Sequence, residues 1–381
     1  MQILVISHEF PPVGGGGGHI ARDLCQTMSE RGHEVKVLTA DLIGGVSGVD
    51  GCEFDVIRTP TWRKDPSRAS LLAMFTFVIS GLIRGLVYLR RWKPDLIHVH
   101  FAVPSGPIAW VLSIVFGIPY VLTAHLGDVP GGTPEKTDKW FRFIYPFTPP
   151  IWKGAASVIA VSEFTRNLAL ERYDVPIEVI HNGVDLGAFT EREEGVHDPP
   201  RVVFAGRFVP QKNPLAIVRV LDSLKDLAWE CTMLGDGPLY QEVWREIEEL
   251  GLQDRIQIPG WVSPEEVRRT FCRSDILFMP SYTEGLPVVG VQALAAGLAF
   301  VVSDIGGFID LVDDGENGYR VPLENASSEK FMEKLSCLLI NQSRIETFKT
   351  SSRARAQKFD IAYIAYLYEQ LFSRVVNRKV V

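Results

Sequence analysis

Residues Met279–Val302 read MPSYTEGLPVVGVQALAAGLAFVV, and the order of residue types along them decides the fold. The run that leads in, Asp275–Met279 (DILFM), is short and apolar, the pattern of a strand buried on both faces of a parallel sheet. The turn Glu284–Gly285–Leu286–Pro287 follows. Pro287 then opens a helix that Gly297 closes, and Ala299–Val302 is a second buried strand. Strand, loop, helix, strand is the repeating unit of a doubly wound α/β protein. Such a helix start sets Glu284 beside free backbone amides at the positive end of the helix dipole, which favours hydroxyl-rich or anionic ligands. On its residues alone the stretch reads equally well as one more crossover in a parallel sheet.

The same unit recurs on both sides. Strands are predicted at Ile3–Ser7, Glu34–Leu38, Glu53–Ile57, Asp95–His100, Pro119–Thr123 and Ser157–Val161, then at Arg201–Ala205, Thr232–Leu234 and Ile256–Pro259, with helical patterns between them. With 381 residues there is room for two domains of ordinary size, and the polar, Pro-containing run Glu191–Pro200 reads as a connection between them. The expected division is 1–184, 185–360, and a last helix at 361–381 that crosses back to the first domain.

The totals narrow the function. A net charge of −7, from 39 basic and 46 acidic residues, argues against nucleic-acid binding driven by phosphate neutralisation. Five scattered cysteines without a C-x-x-C pair suit a reduced compartment rather than a disulfide framework or a zinc site. No charged leader with an apolar core precedes the strand QILVIS, so a cytoplasmic location is expected and the sequons at Asn325 and Asn341 carry no glycan.

Three further segments bear chemistry. Gly14–Gly18 stands between a strand and the helix His19–Glu30, so Gly15, Gly16 and Gly17 let the backbone approach a phosphate, although the Lys-Ser/Thr ending of a P-loop is missing. A merely flexible loop is the other reading. Gly206-Arg207-Phe208-Val209-Pro210-Gln211-Lys212 lies between a strand and a helix with Asn213 as N-cap and Pro214 first. Gly235-Asp236-Gly237-Pro238 is a tight turn after a strand, and Trp261–Val262 precedes a helix capped by Ser263. His125 leaves a strand end, where loop histidines are most often plain surface residues; His98 and His100 alternate along a strand and read as packing or solvent-facing.

Ser70–Tyr88 is the unusual segment. Leu72, Phe75, Ile79, Leu82, Leu86 and Leu89 form a helical stripe read as the core face, yet Leu71, Met74, Phe77 and Val78 make the opposite face apolar too. The uncharged part, Leu71–Ile83, is too short to span a bilayer. The first reading is a helix buried on both faces. The second is an interfacial helix, because Arg63, Lys64, Arg68, Arg84, Arg90, Arg91 and Lys93 flank or interrupt it, as on helices that meet anionic lipid.

Taken together, the Glu284 turn, the Gly206–Lys212 segment, the glycine loop and His125 resemble glycosyltransferase family 4, over nearly the whole chain. The resemblance implies a retaining enzyme of the GT-B fold, with two Rossmann-like parallel-sheet domains facing across a cleft. It implies that a UDP- or GDP-sugar binds mainly to the second domain and an acceptor glycan or lipid-linked glycan to the first. Arg207 and Lys212 would hold the diphosphate, Glu284 would orient the sugar, and His125 would stand near the anomeric carbon. Gly15, Gly16, Gly17, Gly206, Gly235, Trp261, Val262, Gly285, Leu286, Pro287 and Gln292 would line the donor. The family pattern has a second Glu eight positions after the first; here that position is Gln292, which hydrogen-bonds but brings no charge. No cofactor or metal is expected, since no Asp-x-Asp motif is present and the two cations face the leaving group. A GT-B epimerase or phosphorylase, or a weakly active partner subunit, stays open.

Overall fold

The computed structural model describes residues 1–45, 52–66, 69–132, 141, 143–323 and 328–378; Arg68 and the sequon at Asn325 lie outside them. The chain divides into two compact units, Met1–Gly183 with Ile361–Val381, and Val184–Asp360.

The first unit is built on a seven-stranded sheet. Its strands are β1 (Gln2–Ser7), β2 (Glu34–Leu42), β3 (Asp55–Arg63), β4 (Leu96–His100), β5 (Tyr120–Ala124), β6 (Ser157–Ala160) and β7 (Ile177–Val179). They are ordered β3-β2-β1-β4-β5-β6-β7 and all pair in parallel. The register is continuous at the centre, Val5 opposite Val37 on one side and His98 on the other. One face carries the helix Gly16–Glu30 and the last helix, Ile361–Asn377, whose Ile364, Tyr368, Leu371 and Phe372 pack with Val5, Val37 and Ile159. Arg31 fixes that helix with a two-pronged bond to Glu369, at 2.8 and 2.7 Å.

The opposite face carries the helices Leu71–Tyr88 and Ser105–Phe116, and here the structure corrects the sequence. The residues of the first helix that turn inward are Ala73, Phe77, Gly81 and Gly85; of the stripe expected in the core, Leu72, Phe75 and Ile79 are exposed, while Leu82 and Leu86 pack half-buried against the core and Leu89 is buried. The glycines decide this. A Cβ on Gly81 would lie 2.6 Å from Ile108 Cδ1, and one on Gly85 2.7 Å from Leu112 Cδ1, so the two helices meet along the glycine face. The two-sided burial read from the pattern is therefore absent. Arg63, placed with the basic flank, is also corrected: it is 2% exposed and its guanidinium donates to the carbonyls of His8, Asp65 and Pro66.

The second unit is a six-stranded sheet, also parallel throughout. Its strands are β8 (Arg201–Ala205), β9 (Glu230–Leu234), β10 (Ile256–Gly260), β11 (Ile276–Met279), β12 (Ala299–Ser303) and β13 (Gly318–Val321), ordered β10-β9-β8-β11-β12-β13. Asp275, at the foot of β11, anchors the segment that enters this sheet. It is fully buried, takes Lys349 Nζ at 2.8 Å on one oxygen, and accepts the amides of His197 and Arg201 on the other. The helix after β11 runs Val288–Ala296, so Pro287 is its N-cap rather than its first residue, and Gly297 closes it with φ 75°. The turn Asp313–Asn317 is structural: buried Asn317 accepts the Asp313 amide at 2.8 Å.

Candidate active site

In the second unit the loops that leave the carboxyl ends of β8, β9, β10 and β11 are stitched to one another. Gly206 N–H donates to Leu234 O, Phe208 N–H to Asp236 O, and Gly235 N–H to Gly260 O, at 2.9 to 3.0 Å. Gly235 has φ 134°, and a Cβ there would lie 2.0 Å from the Gly206 carbonyl oxygen, so only glycine permits the approach. Gly206 and Gly235 thus hold the loop backbones together.

Lys212, in the turn Pro210–Lys212, forms a salt bridge with Glu284 Oε1. Two further bonds join the same segments: Gln211 Nε2 donates to Thr283 O at 2.9 Å, and Tyr282 N–H to Gln211 O at 2.8 Å. From the other side Gly307 N–H donates to Glu284 O at 3.1 Å, and a Cβ on Gly307 would lie 2.0 Å from Gly285 O. The Glu284 turn is thereby clamped between two loops, and its carboxylate is 6% exposed. One oxygen is committed to Lys212, which leaves the other as an acceptor for a hydroxyl.

Around this pair, Leu286 and Pro287 are buried, Gly285 is half-buried, and the hydroxyls of Ser281 and Ser303 are buried without a hydrogen-bond partner. Arg207 is exposed earlier on the same loop as Lys212. Trp261 is exposed and Val262 half-buried at the end of β10. Gln292 is half-buried on the helix Val288–Ala296, and its side chain has no hydrogen bond with any described residue.

In the first unit a second cluster stands at the ends of β1, β4 and β5. His125 stacks on Phe101, with ring centroids 4.3 Å apart and planes at 25°, and His8 meets the other side of Phe101 edge-on at 4.7 Å. Phe101 itself has φ 71°, a conformation that costs a bulky residue of the order of 1 kcal/mol and is held only where surroundings fix it. Above it lies the glycine loop: a Cβ on Gly17 would come 2.7 Å from the Phe101 ring. The helix here starts at Gly16 with Gly15 as N-cap, and Glu9 accepts the Gly15 amide at 2.9 Å. An anion at this helix end must share it with, or displace, the Glu9 carboxylate.

His98, His100 and His125 form a chain inward, with His98 bonded to Thr123 Oγ1 at 2.9 Å and Thr123 to Tyr368 at 3.0 Å. His98 and His100 are buried, so of their two expected roles packing is the one observed. Burial holds His8 and His125 down at about 4 and His98 at about 3, with His100 also well below the usual histidine value. Asp128 fixes the His125 backbone by accepting its N–H at 2.8 Å, and burial pushes the Asp128 carboxyl up to about 7.

Glu9, Phe101 and Asp128 carry this geometry without a signal in the sequence, and Arg63 reads there only as part of a basic flank. Glu9 and Asp128 act on their own loops, and the order of the strands brings these loops together with Phe101 and Arg63.

Comparison with known proteins matches this architecture to a class. Residues 14–188 match the family described as Glycosyltransferase Family 4, and residues 188–356 match Glycosyl transferases group 1. The chain belongs to this family and is a glycosyltransferase of the GT-B fold, an enzyme of class EC 2.4. Among particular relatives, the putative teichuronic acid biosynthesis glycosyltransferase TuaC of Bacillus subtilis is 32% identical over 66% of this chain and 64% of its own. The structure of sucrose-phosphate synthase from Thermosynechococcus elongatus superposes with a TM-score of 0.83 at 21% identity, covering 99% of this chain and all of that one. That of Anabaena HepE, in complex with UDP and glucose, superposes with a TM-score of 0.74 at 20% identity, covering 98% and 99%.

Proposed function

We propose that the chain transfers a sugar from a UDP- or GDP-sugar to a hydroxyl of a glycan or lipid-linked glycan, with retention of configuration and without a metal ion. The donor is held by the loops of the second unit and the acceptor by those of the first. The observation that carries this reading is the pair of half-buried Lys212 and buried Glu284, clamped at the ends of β8 and β11. As the glycosidic bond breaks, negative charge grows on the departing diphosphate; Lys212 and the neighbouring Arg207 stabilise it, which is the task a divalent ion performs elsewhere. Glu284 takes a sugar hydroxyl on its second oxygen and fixes the ring while the acceptor hydroxyl attacks from the face the diphosphate leaves and passes its proton to the departing diphosphate oxygen. UDP in the Anabaena neighbour supports a nucleotide-sugar donor. Buried Cys25, Cys231 and Cys272, all free thiols, support a cytoplasmic location.

Mass spectrometry, with NMR to read anomeric and epimeric configuration, on the products from a panel of labelled sugar nucleotides, each with and without acceptor glycans, tests the reading. A glycosylated acceptor of unchanged anomeric configuration, formed equally in EDTA, is the expected result. Conversion of the donor without an acceptor would identify an epimerase instead, and loss of activity in EDTA restored by magnesium would remove the metal-free step.

Gln292 is assigned to the nucleotide ribose, where its amide accepts one hydroxyl. Gln292→Ala is then expected to weaken binding of the matching nucleotide diphosphate, and Gln292→Glu to change it by about 1–2 kcal/mol, the scale of a hydrogen bond involving charge. Calorimetry with both variants checks this; unchanged affinity in each would detach residue 292 from the donor.

A further inference from the structure

Along the helix Leu71–Tyr88 Ala73, Phe77, Gly81 and Gly85 face the protein, Val78, Leu82 and Leu86 lie half-buried against its core, and a further set of large apolar residues faces away. Leu71, Leu72, Phe75, Ile79, Ile83 and Val87 are each between 45% and 62% exposed, and at spacings of three and four they form one stripe. The neighbouring helix Ser105–Phe116 adds exposed Ile114 and Val115. Gly81 meets Ile108 and Gly85 meets Leu112, so the two helices run in the same direction and these residues lie at the same end as Val87. An outward apolar stripe of this length needs a partner.

Charge identifies the partner. From Pro66 to Pro94 the sequence holds no Asp or Glu, in a chain whose net charge is −7. Arg84, Arg90, Arg91 and Lys93 are exposed, and none forms an ion pair with a described residue. Unpaired cations beside an apolar stripe fit lipid phosphates above acyl chains. A second copy of the chain fits less well, because a two-fold interface on this face would bring like charges together. The helix is long and apolar enough to cross a membrane, but its Ala73, Phe77, Gly81 and Gly85 face is packed in the protein, so it meets a bilayer lengthwise.

We propose that this helix is a membrane-docking surface, lying in the headgroup–acyl boundary of an anionic bilayer with its apolar stripe immersed and the four cations on lipid phosphates. The start of the helix is tied to the candidate site. Arg63 binds the carbonyls of His8, Asp65 and Pro66, and Gly14 N–H donates to Pro66 O at 2.7 Å, so the glycine loop follows the segment that enters the helix.

Co-sedimentation of the full chain with vesicles tests the proposal without reference to activity. Binding to phosphatidylcholine vesicles containing phosphatidylglycerol is expected, weak on phosphatidylcholine alone and falling with added salt. Ile79→Asp with Ile83→Asp, both exposed and expected to leave melting unchanged, should lower partitioning by at least about tenfold. Arg84→Gln with Arg90→Gln and Arg91→Gln should lower it on the order of a hundredfold on the anionic vesicles only. Equal sedimentation of the aspartate variant and the parent would overturn the proposal. So would a concentration-dependent dimer in vesicle-free ultracentrifugation that the aspartate variant abolishes.

Discussion

Lys212→Ala is expected to lower turnover by on the order of 10²–10³, the loss that follows removal of one preorganised group from a developing anion. The same substitution strips Glu284 of its counter-ion. Glu284 is 6% exposed, and breaking a buried pair from one side leaves an uncompensated charge worth on the order of 3–5 kcal/mol. Turnover and stability of the second unit therefore fall together in the single variant, and either loss alone could explain an inactive protein. The double variant Lys212→Met with Glu284→Gln separates them. It replaces the pair by neutral groups of similar size, which is often neutral for stability. Melting should recover while turnover stays low, because the cation and the carboxylate that the proposed function places on the donor are both missing. Turnover that recovers with melting would reduce Lys212 to a structural partner of Glu284 and end its assignment to the leaving group.

How far such a site can be read from sequence depends on what holds each part. The strand Arg201–Ala205 has the same limits in sequence and structure, since a central parallel strand is a short apolar run bounded by residues that cannot continue it. β13 has no such signature. It is four residues with an arginine among them, and its Gly318 is required because a Cβ there would lie 2.5 Å from Phe300, a contact across the sheet. The helix Leu71–Tyr88 shows a different limit. Periodicity locates a helix face only when one face is polar; where both are apolar, the closest packing partner decides, and here Ile108 and Leu112 select the glycines. At the site, Lys212 and Glu284 were legible as chemistry but their contact was not, being set by the adjacency of β8 and β11. Glu9 at the glycine loop was hidden for a local reason: the fold of the loop after β1 turns its carboxylate back onto the Gly15 amide six residues on.

Stability of the first unit is expected to fall by roughly 3 kcal/mol between pH 7.5 and 5.5, a window in which ordinary carboxylates contribute nothing. The cause is the cluster His8, His98, His100 and His125, each held below its unfolded value of 6.5, by burial first and then by neighbouring charge. Glu9 opposes the shift at His8 and His125, and Arg63 reinforces it at His8. A group whose folded value is depressed is neutral in the fold, so its stabilisation is complete above 6.5. It is lost as pH falls below 6.5, because the unfolded chain then binds the proton and the fold does not. Each histidine loses about 1.4 kcal/mol per pH unit in that range. Asp128 works the other way: raised to about 7, it binds its proton before the unfolded chain does and returns part of the loss as pH falls through 7. Amide exchange on β4 and β5 reads the unit that carries these groups. His100→Leu, whose Nε2 has no hydrogen-bond partner among the described residues, should flatten the slope, and Asp128→Asn should steepen it. Equal protection of β4 and β5 at the two pH values would mean that these histidines can take up protons inside the fold.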